Sequence, residues 1–235
     1  VRDIGMQIKL RLLIAATLFV LFSSTARALD HTQIATYGGV VNFSNVFAAP
    51  SIVKFDPSWG TLLSVSIEFD TLVKNHTTST LQAAANPPVS AIAGSAGTII
   101  LRNPGIPSLG QPMLTLNTSV LSDPVFLNVG QTTNFGGPLS SNDSDAAILT
   151  APADLSFFTG LGTVDFAVDA TVLTSVINSG SGSATLVNTF NNTANGAIKV
   201  TYNYRPAERL PEPGTLVLLL GGAMAWGIFR KRHTA

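Results

Sequence analysis

Residues Leu63-Ser64-Val65-Ser66-Ile67-Glu68-Phe69-Asp70 alternate apolar and polar without a break. A strand turns successive side chains to opposite faces, so a period of two predicts a strand with one buried and one wet face. A helix would need a period of 3.6. The pattern recurs over residues 163–168, with Val164, Phe166 and Val168 on one face. It recurs over 184–190, where Ala184, Leu186 and Phe190 share a face with one exception, Asn188, and again over 198–204. Shorter candidates lie at 35–43, 52–55, 97–102, 114–121 and 125–129. The stretches between them are rich in Gly, Pro, Asn and Ser, the residues that turns require. Short strands at this spacing predict an all-β chain folded as an antiparallel, jelly-roll-like β-sandwich. No long linker interrupts residues 29–204, which therefore read as one domain, with 205–210 as a connector. Helix signals are confined to residues 80–85 and 151–159. In the second, Pro152 and Asp154 fit a helix N-terminus.

Both ends of the chain break this pattern. Lys9 and Arg11 precede an eleven-residue apolar stretch, 12–22, broken only by Thr17, and Ala26-Arg27-Ala28 follows with small residues at both contact positions. Eleven residues make a helix of about 16 Å, too short for a hydrocarbon core of about 30 Å. Residues 1–28 are expected to be a secretory signal peptide. Signal peptidase would read Ala26 and Ala28 and leave Leu29 first; a buried N-terminal helix is the alternative. At the other end, Pro211-Glu212-Pro213-Gly214 leads into fifteen uncharged residues, 215–229, closed by Arg230-Lys231-Arg232. As one hydrophobic helix they span about 22 Å, marginal for a stable crossing. The basic cluster would stay cytoplasmic and leave the body outside, in agreement with a signal peptide. A removable sorting tail and a permanent anchor both fit these residues.

The string LPEPGTLVLLLGGAMAWGIFRKR resembles the PEP-CTERM sorting signal of Gram-negative bacteria. Pro211, Glu212 and Pro213 match its motif, 215–229 its short transmembrane segment, and Arg230, Lys231 and Arg232 its basic cluster. That resemblance implies an exosortase as processing partner, transient anchoring in the inner membrane through the C-terminal helix, and delivery to the surface of a bacterium that makes extracellular polysaccharide. The body is similar to the choice-of-anchor type E domain family. The similarity rests on Phe55-Asp56-Pro57-Ser58-Trp59-Gly60-Thr61-Leu62 before an alternating strand, on Asp154-Leu155-Ser156-Phe157-Phe158-Thr159-Gly160, and on the closing strand near Tyr204. It implies a surface protein with no assigned enzyme activity. In physical terms the first stretch is a turn feeding a strand. Pro57 sets its own φ, Asp56 can cap, Gly60 permits positive φ, and Phe55 and Leu62 bury on either side.

The formal net charge of the whole chain is zero, but residues 29–210 hold six basic and eleven acidic residues, a balance of −5. Such a body does not fit nucleic acid or a phosphate-rich partner. The chain has no cysteine, which excludes a disulfide framework, Cys-ligated metal and a Cys nucleophile. The three histidines, His31, His76 and His233, are scattered, no G-x-S-x-G or phosphate loop occurs, and no cofactor is expected. Asn142-Asp143-Ser144-Asp145 is a weak Ca²⁺ candidate through Asp143 and Asp145; it lacks the EF-hand Gly and closing Glu, and a solvated acidic turn is the default. Asp165 and Asp169 should face solvent, which argues against a glycosidase pair. Trp59, the single tryptophan of the body, is either edge packing or a glycan platform. Thr77, Thr78 and Thr80 cluster, but no fixed repeat of threonines runs through the chain as ice binding would require. The sequence thus predicts an exported surface or matrix protein, structural or adhesive in exopolysaccharide or biofilm, and not an enzyme. A carbohydrate-binding module is the alternative, ahead of a secreted hydrolase or an ice-binding protein.

Overall fold

The computed structural model describes residues 27–41, 43–47, 50–84, 88–135, 139–179 and 183–207. Ala26, Pro211, Glu212, Pro213, Arg230, Lys231, Arg232 and the apolar segments 12–22 and 215–229 lie outside them. Ala28 is described, exposed and outside regular structure. No helix among the described residues is long and apolar enough to cross a membrane.

The chain divides into two compact units. One comprises Leu29–Pro57 and Leu62–Tyr204; the described residues of the other are 27–28, 58–61 and 205–207. Among the described residues the elements follow in the order β1 (Leu29–Val40), β2 (Ser44–Phe47), β3 (Ser51–Val53), β4 (Gly60–Ala84), β5 (Val89–Leu101), β6 (Leu114–Leu121), β7 (Val125–Leu127), β8 (Thr132–Asn134), β9 (Leu139–Leu149), α1 (Pro152–Phe158), β10 (Thr163–Asp165), β11 (Val168–Ser179) and β12 (Ala184–Pro206). Sheet I runs β1-β12-β4-β8, with β9 also on β4; sheet II runs β2-β11-β5-β6, with β7 also on β5; β10 and β3 form a two-stranded ribbon. The strand pairs with a defined register are antiparallel.

The sandwich follows from the alternation. Val65, Ile67, Phe69 and Val73 of β4 and Ile198, Val200 and Tyr202 of β12 are buried from sheet I. Ile99 and Leu101 of β5 and Val168, Ala170 and Val172 of β11 meet them from sheet II. A smaller cluster holds Leu81, Val89, Ala91, Ala93, Leu127 and Phe135. Burial pushes the Tyr37 phenol from its ordinary value near 10 up to about 12.

In the second unit, Gly60 has φ of 144°, and a Cβ there would strike the Arg205 carbonyl, so glycine is required. The turn at Pro57–Trp59 is a single 3-10 turn, and the Ala207 N–H donates to Trp59 O at 3.0 Å. In the larger unit, Phe55 is fully buried and its ring lies 5.9 Å from Tyr202 and 5.2 Å from Tyr204.

Four expectations need correction. Residues 80–84 belong to β4 and not to a helix, because the strand continues through its polar half and pairs with β8 at Thr78, Ser79 and Thr80. The acidic segment 142–145 is the middle of β9, paired to β4 from Asp143↔Thr71 to Asp145↔Phe69, and not a loop. Residues 163–168 are not one strand: β10 ends at Asp165, the Phe166 N–H donates to Pro50 O, Ala167 O accepts from Arg102, and β11 starts in another sheet. Asp169 does not simply face solvent: its side chain is 21% exposed and paired with Arg102. The helix expected over 151–159 forms as α1, with Pro152 at its first turn. Asp154, also in that turn, is buried and accepts the Ser108 N–H at 2.9 Å.

Candidate functional site

Between the two apolar clusters lies a layer of polar side chains. β4 contributes Asn75, Thr77 and Ser79, all buried; β12 contributes buried Asn192 and half-buried Asn188; β11 contributes half-buried Thr174. Asn75 is fully buried, so each of its amide groups needs a partner. Its Nδ2 donates to Thr174 Oγ1 at 3.1 Å and to Asn192 Oδ1, and its Oδ1 accepts from Thr77 Oγ1. Thr174 Oγ1 in turn donates to Asn192 Oδ1 at 3.1 Å. Ser79 Oγ donates to Asn188 Oδ1 at 2.7 Å, which accounts for the polar exception in β12. The bonds from Asn75 and Asn192 to Thr174 tie sheet I to sheet II across the sandwich.

The layer reaches the surface where the chain passes from β1 to β2. There the Val41 N–H donates to Asn192 O at 2.8 Å and the Val172 N–H to Phe43 O at 2.9 Å, so Val41 and Phe43 form a strap bonded to one sheet and the other. Beside the strap lies an open groove of about 540 Å³ lined by Phe43, Val172, Leu173, Thr174, Phe190 and Asn192. Phe43 has φ of +82°, a region that costs a non-glycine residue of order 1–3 kcal/mol. Phe43 is 66% exposed and Phe190 37% exposed. Asn192 Oδ1 is committed to the buried network, so the orientation of its amide is set before any ligand arrives. None of the described residues lining the groove is ionisable. Its described lining sets aromatic surface beside an amide and a hydroxyl.

The residues singled out in the sequence do not converge here. Trp59, 37% exposed, is in the 3-10 turn of the other unit. Asp143 accepts the Asn117 N–H through Oδ2 and the Ser144 N–H through Oδ1, and Asp145 accepts the Ala146 N–H. Their carboxylates thus satisfy backbone donors, and no group of three or more His, Cys, Asp or Glu able to hold a metal occurs among the described residues. Asp165 accepts from Ser51 Oγ at 2.6 Å and from Thr163 Oγ1 at 3.1 Å. His76 is exposed beside Asn134, and His31 stacks over Tyr202. Phe43, Phe190, Thr174 and Asn192 were not legible as a site; the one signal was asparagine at inward positions of β12.

No family model and no curated protein matches the chain. Among solved structures it is similar to that of the infectious bursal disease virus Gx strain, at 11% identity over 77% of this chain and a TM-score of 0.21; the match spans 38% of that chain. It is similar to the parasporin-2 Bacillus thuringiensis toxin that recognizes cancer cells, at 11% identity over 78% of this chain and 76% of that one, with a TM-score of 0.26. It is also similar to winged bean acidic lectin complexed with methyl-alpha-D-galactose, at 10% identity over 74% of this chain and 99% of that one, with a TM-score of 0.21. At these scores the likeness carries no argument about ligands or partners.

Proposed function

We propose that the chain is an exported protein that an exosortase processes at the inner membrane and delivers to the cell surface or matrix, where its jelly-roll-like body is structural or adhesive. The order Pro-Glu-Pro, fifteen uncharged residues and a triple-basic end, placed after the body, carries this reading. Three further features support it: a signal-like N-terminus of matching topology, a cysteine-free body at −5, and a sandwich held by pairings between distant residues. The test is Glu212→Ala, expressed in the source bacterium beside the native chain and read by intact mass. The native protein should begin at Leu29 and lose its tail near Pro211–Pro213. The variant should keep its mass to Ala235 and stay with the membrane. Normal processing of the variant would sink the assignment.

A carbohydrate-binding role is the second reading, favoured by Phe43 and Phe190 lining one groove with Thr174 and Asn192. Calorimetric titration with neutral polysaccharide should then show binding that weakens at least about tenfold in Phe43→Asn, a change that keeps a residue tolerant of positive φ. A native chain that binds no glycan removes this reading.

A further inference from the structure

The two sides of sheet II end differently. On one side, β6 packs against β9, and the Asn117 N–H is capped by Asp143 Oδ2 at 2.9 Å. On the other, β2 pairs with β11 only from Val168 to Thr171, and the Val172 N–H goes to Phe43 O. Past Val172, no described residue pairs with β11 on that side, although β5 pairs with it on the other as far as Ser179. Successive residues of an antiparallel strand direct their N–H and C=O to opposite sides. Thr174, Val176 and Asn178 therefore direct theirs the same way as Val172, toward the open edge.

Among the described residues this edge lacks the usual protections. Proteins blunt open edges with lysine, proline, bulges, brevity or a covering element. Leu173-Thr174-Ser175-Val176-Ile177-Asn178-Ser179 contains no charge, no proline and no glycine. Its outward side chains include Leu173, 56% exposed, and Ile177, 58% exposed. Leu121 and Phe126, 70% and 64% exposed, continue an apolar outer face across the same sheet.

The limits of the open stretch indicate what fits it. Phe43 blocks the position beside Val172, and β11 ends at Ser179. The midpoint of residues 173–179 is Val176, one of the residues whose backbone faces the edge. A two-fold axis there places Val176 opposite itself and Thr174 opposite Asn178 of the second copy. Every open backbone group then meets a complementary one, and each strand stops short of the other copy's Phe43. An axis at Thr174 would drive the incoming strand into Phe43, and one at Asn178 would leave Thr174 unpaired. On the outer face Ile177 falls opposite Ser175 and diagonal to Leu173 of the second copy, within side-chain reach.

We propose that the chain associates with a second copy of itself by antiparallel strand addition, β11 against β11 about Val176, so that sheet II continues from one copy into the next. The absence of native cysteine makes the register directly testable. Ser175→Cys and Ile177→Cys are exposed changes, and the proposed register sets those two positions opposite each other with Cα atoms about 4.5 Å apart, within disulfide range. Full-length chains carrying one change each, mixed under mild oxidation, should cross-link into heterodimers well above the level of either variant alone. Asn178→Pro removes one edge-facing N–H and none of the bonds to β5. It should raise the dimer dissociation constant at least about tenfold with little change in thermal midpoint. Three results would each overturn the proposal: a native chain that stays monomeric by light scattering, mixed variants that cross-link no more than each alone, or a dimer indifferent to Asn178→Pro. Capture of an extended peptide from another protein on this edge, with the chain itself monomeric, would overturn it as well.

Discussion

Replacing Gly196 with alanine is expected to cost about 3 kcal/mol or more, a large part of a typical domain's 5–15 kcal/mol. Gly196 lies opposite Tyr37 in the β1–β12 register. A Cβ there would overlap the Asp70 carbonyl oxygen and come within 2.5 Å of the Tyr37 hydroxyl oxygen. Neither neighbour can yield easily. The Tyr37 hydroxyl donates to that same carbonyl at 2.8 Å, its ring packs 5.7 Å from both Phe47 and Phe69, and the Asp70 side chain accepts the Ala197 N–H at 2.9 Å. Alanine would also stiffen the unfolded chain, but that favours folding by only about 0.4–1 kcal/mol, so the clash wins. Urea unfolding midpoints measure the difference. Adding Tyr37→Phe removes the hydroxyl contact and leaves the backbone one, so the double variant should recover little. Full recovery would show that the carbonyl contact is not what excludes a side chain.

Asn75→Ala is expected to cost about 3 kcal/mol, since each buried polar group left unpaired costs about 1–3 kcal/mol. The change takes the acceptor from Thr77 and a donor from both Thr174 and Asn192. Asn75→Asp should be worse at neutral pH, because a buried carboxylate would face the Asn192 carbonyl oxygen. Burial and that oxygen should raise the carboxyl pKa above its unfolded value, so the protonated acid is the form the fold accepts. The sign is then fixed: the variant loses least stability below the unfolded pKa and progressively more as pH rises through the folded one. Denaturant midpoints at pH 4 and pH 7 should therefore show its deficit shrinking in acid. Replacing Asn75, Thr77, Thr174 and Asn192 together by apolar residues of similar volume should recover much of the loss, since no polar group is then stranded. Failure to recover would show that the layer contributes more than satisfied hydrogen bonds.

Several elements were legible before any coordinates. β6 falls on the expected residues, 114–121, and Pro152 marks the start of α1. The turn at Pro57–Trp59 and the positive φ of Gly60 follow from residue chemistry alone. β4 was legible only as far as Asp70. Beyond it the inward positions are Thr71, Val73, Asn75, Thr77, Ser79 and Leu81, so polar residues break the apolar signal while the strand continues. β9 read as an acidic loop because Asp143 and Asp145 have low strand propensity; pairing to β4 along eleven positions overrides it. The groove was not legible, because Phe43, just before β2, and Phe190, within β12, come together only in space.

The sequence by itself determined the secondary-structure class, most turns, the placement of α1 and the unusual composition of both ends. Each of these depends on neighbouring residues: alternation, fixed φ, a missing Cβ, a run without charge. Only the tertiary structure decided which strand lies beside which, that Asn75 meets Thr174 and Asn192 at separations of 99 and 117 residues, and that no described residue pairs with β11 beyond Val172 on its β2 side. A buried amide is a poor strand signal until its partner is known, and an edge is defined by what fails to pair with it. Both are properties of the assembled sheets, which no local stretch of the chain contains.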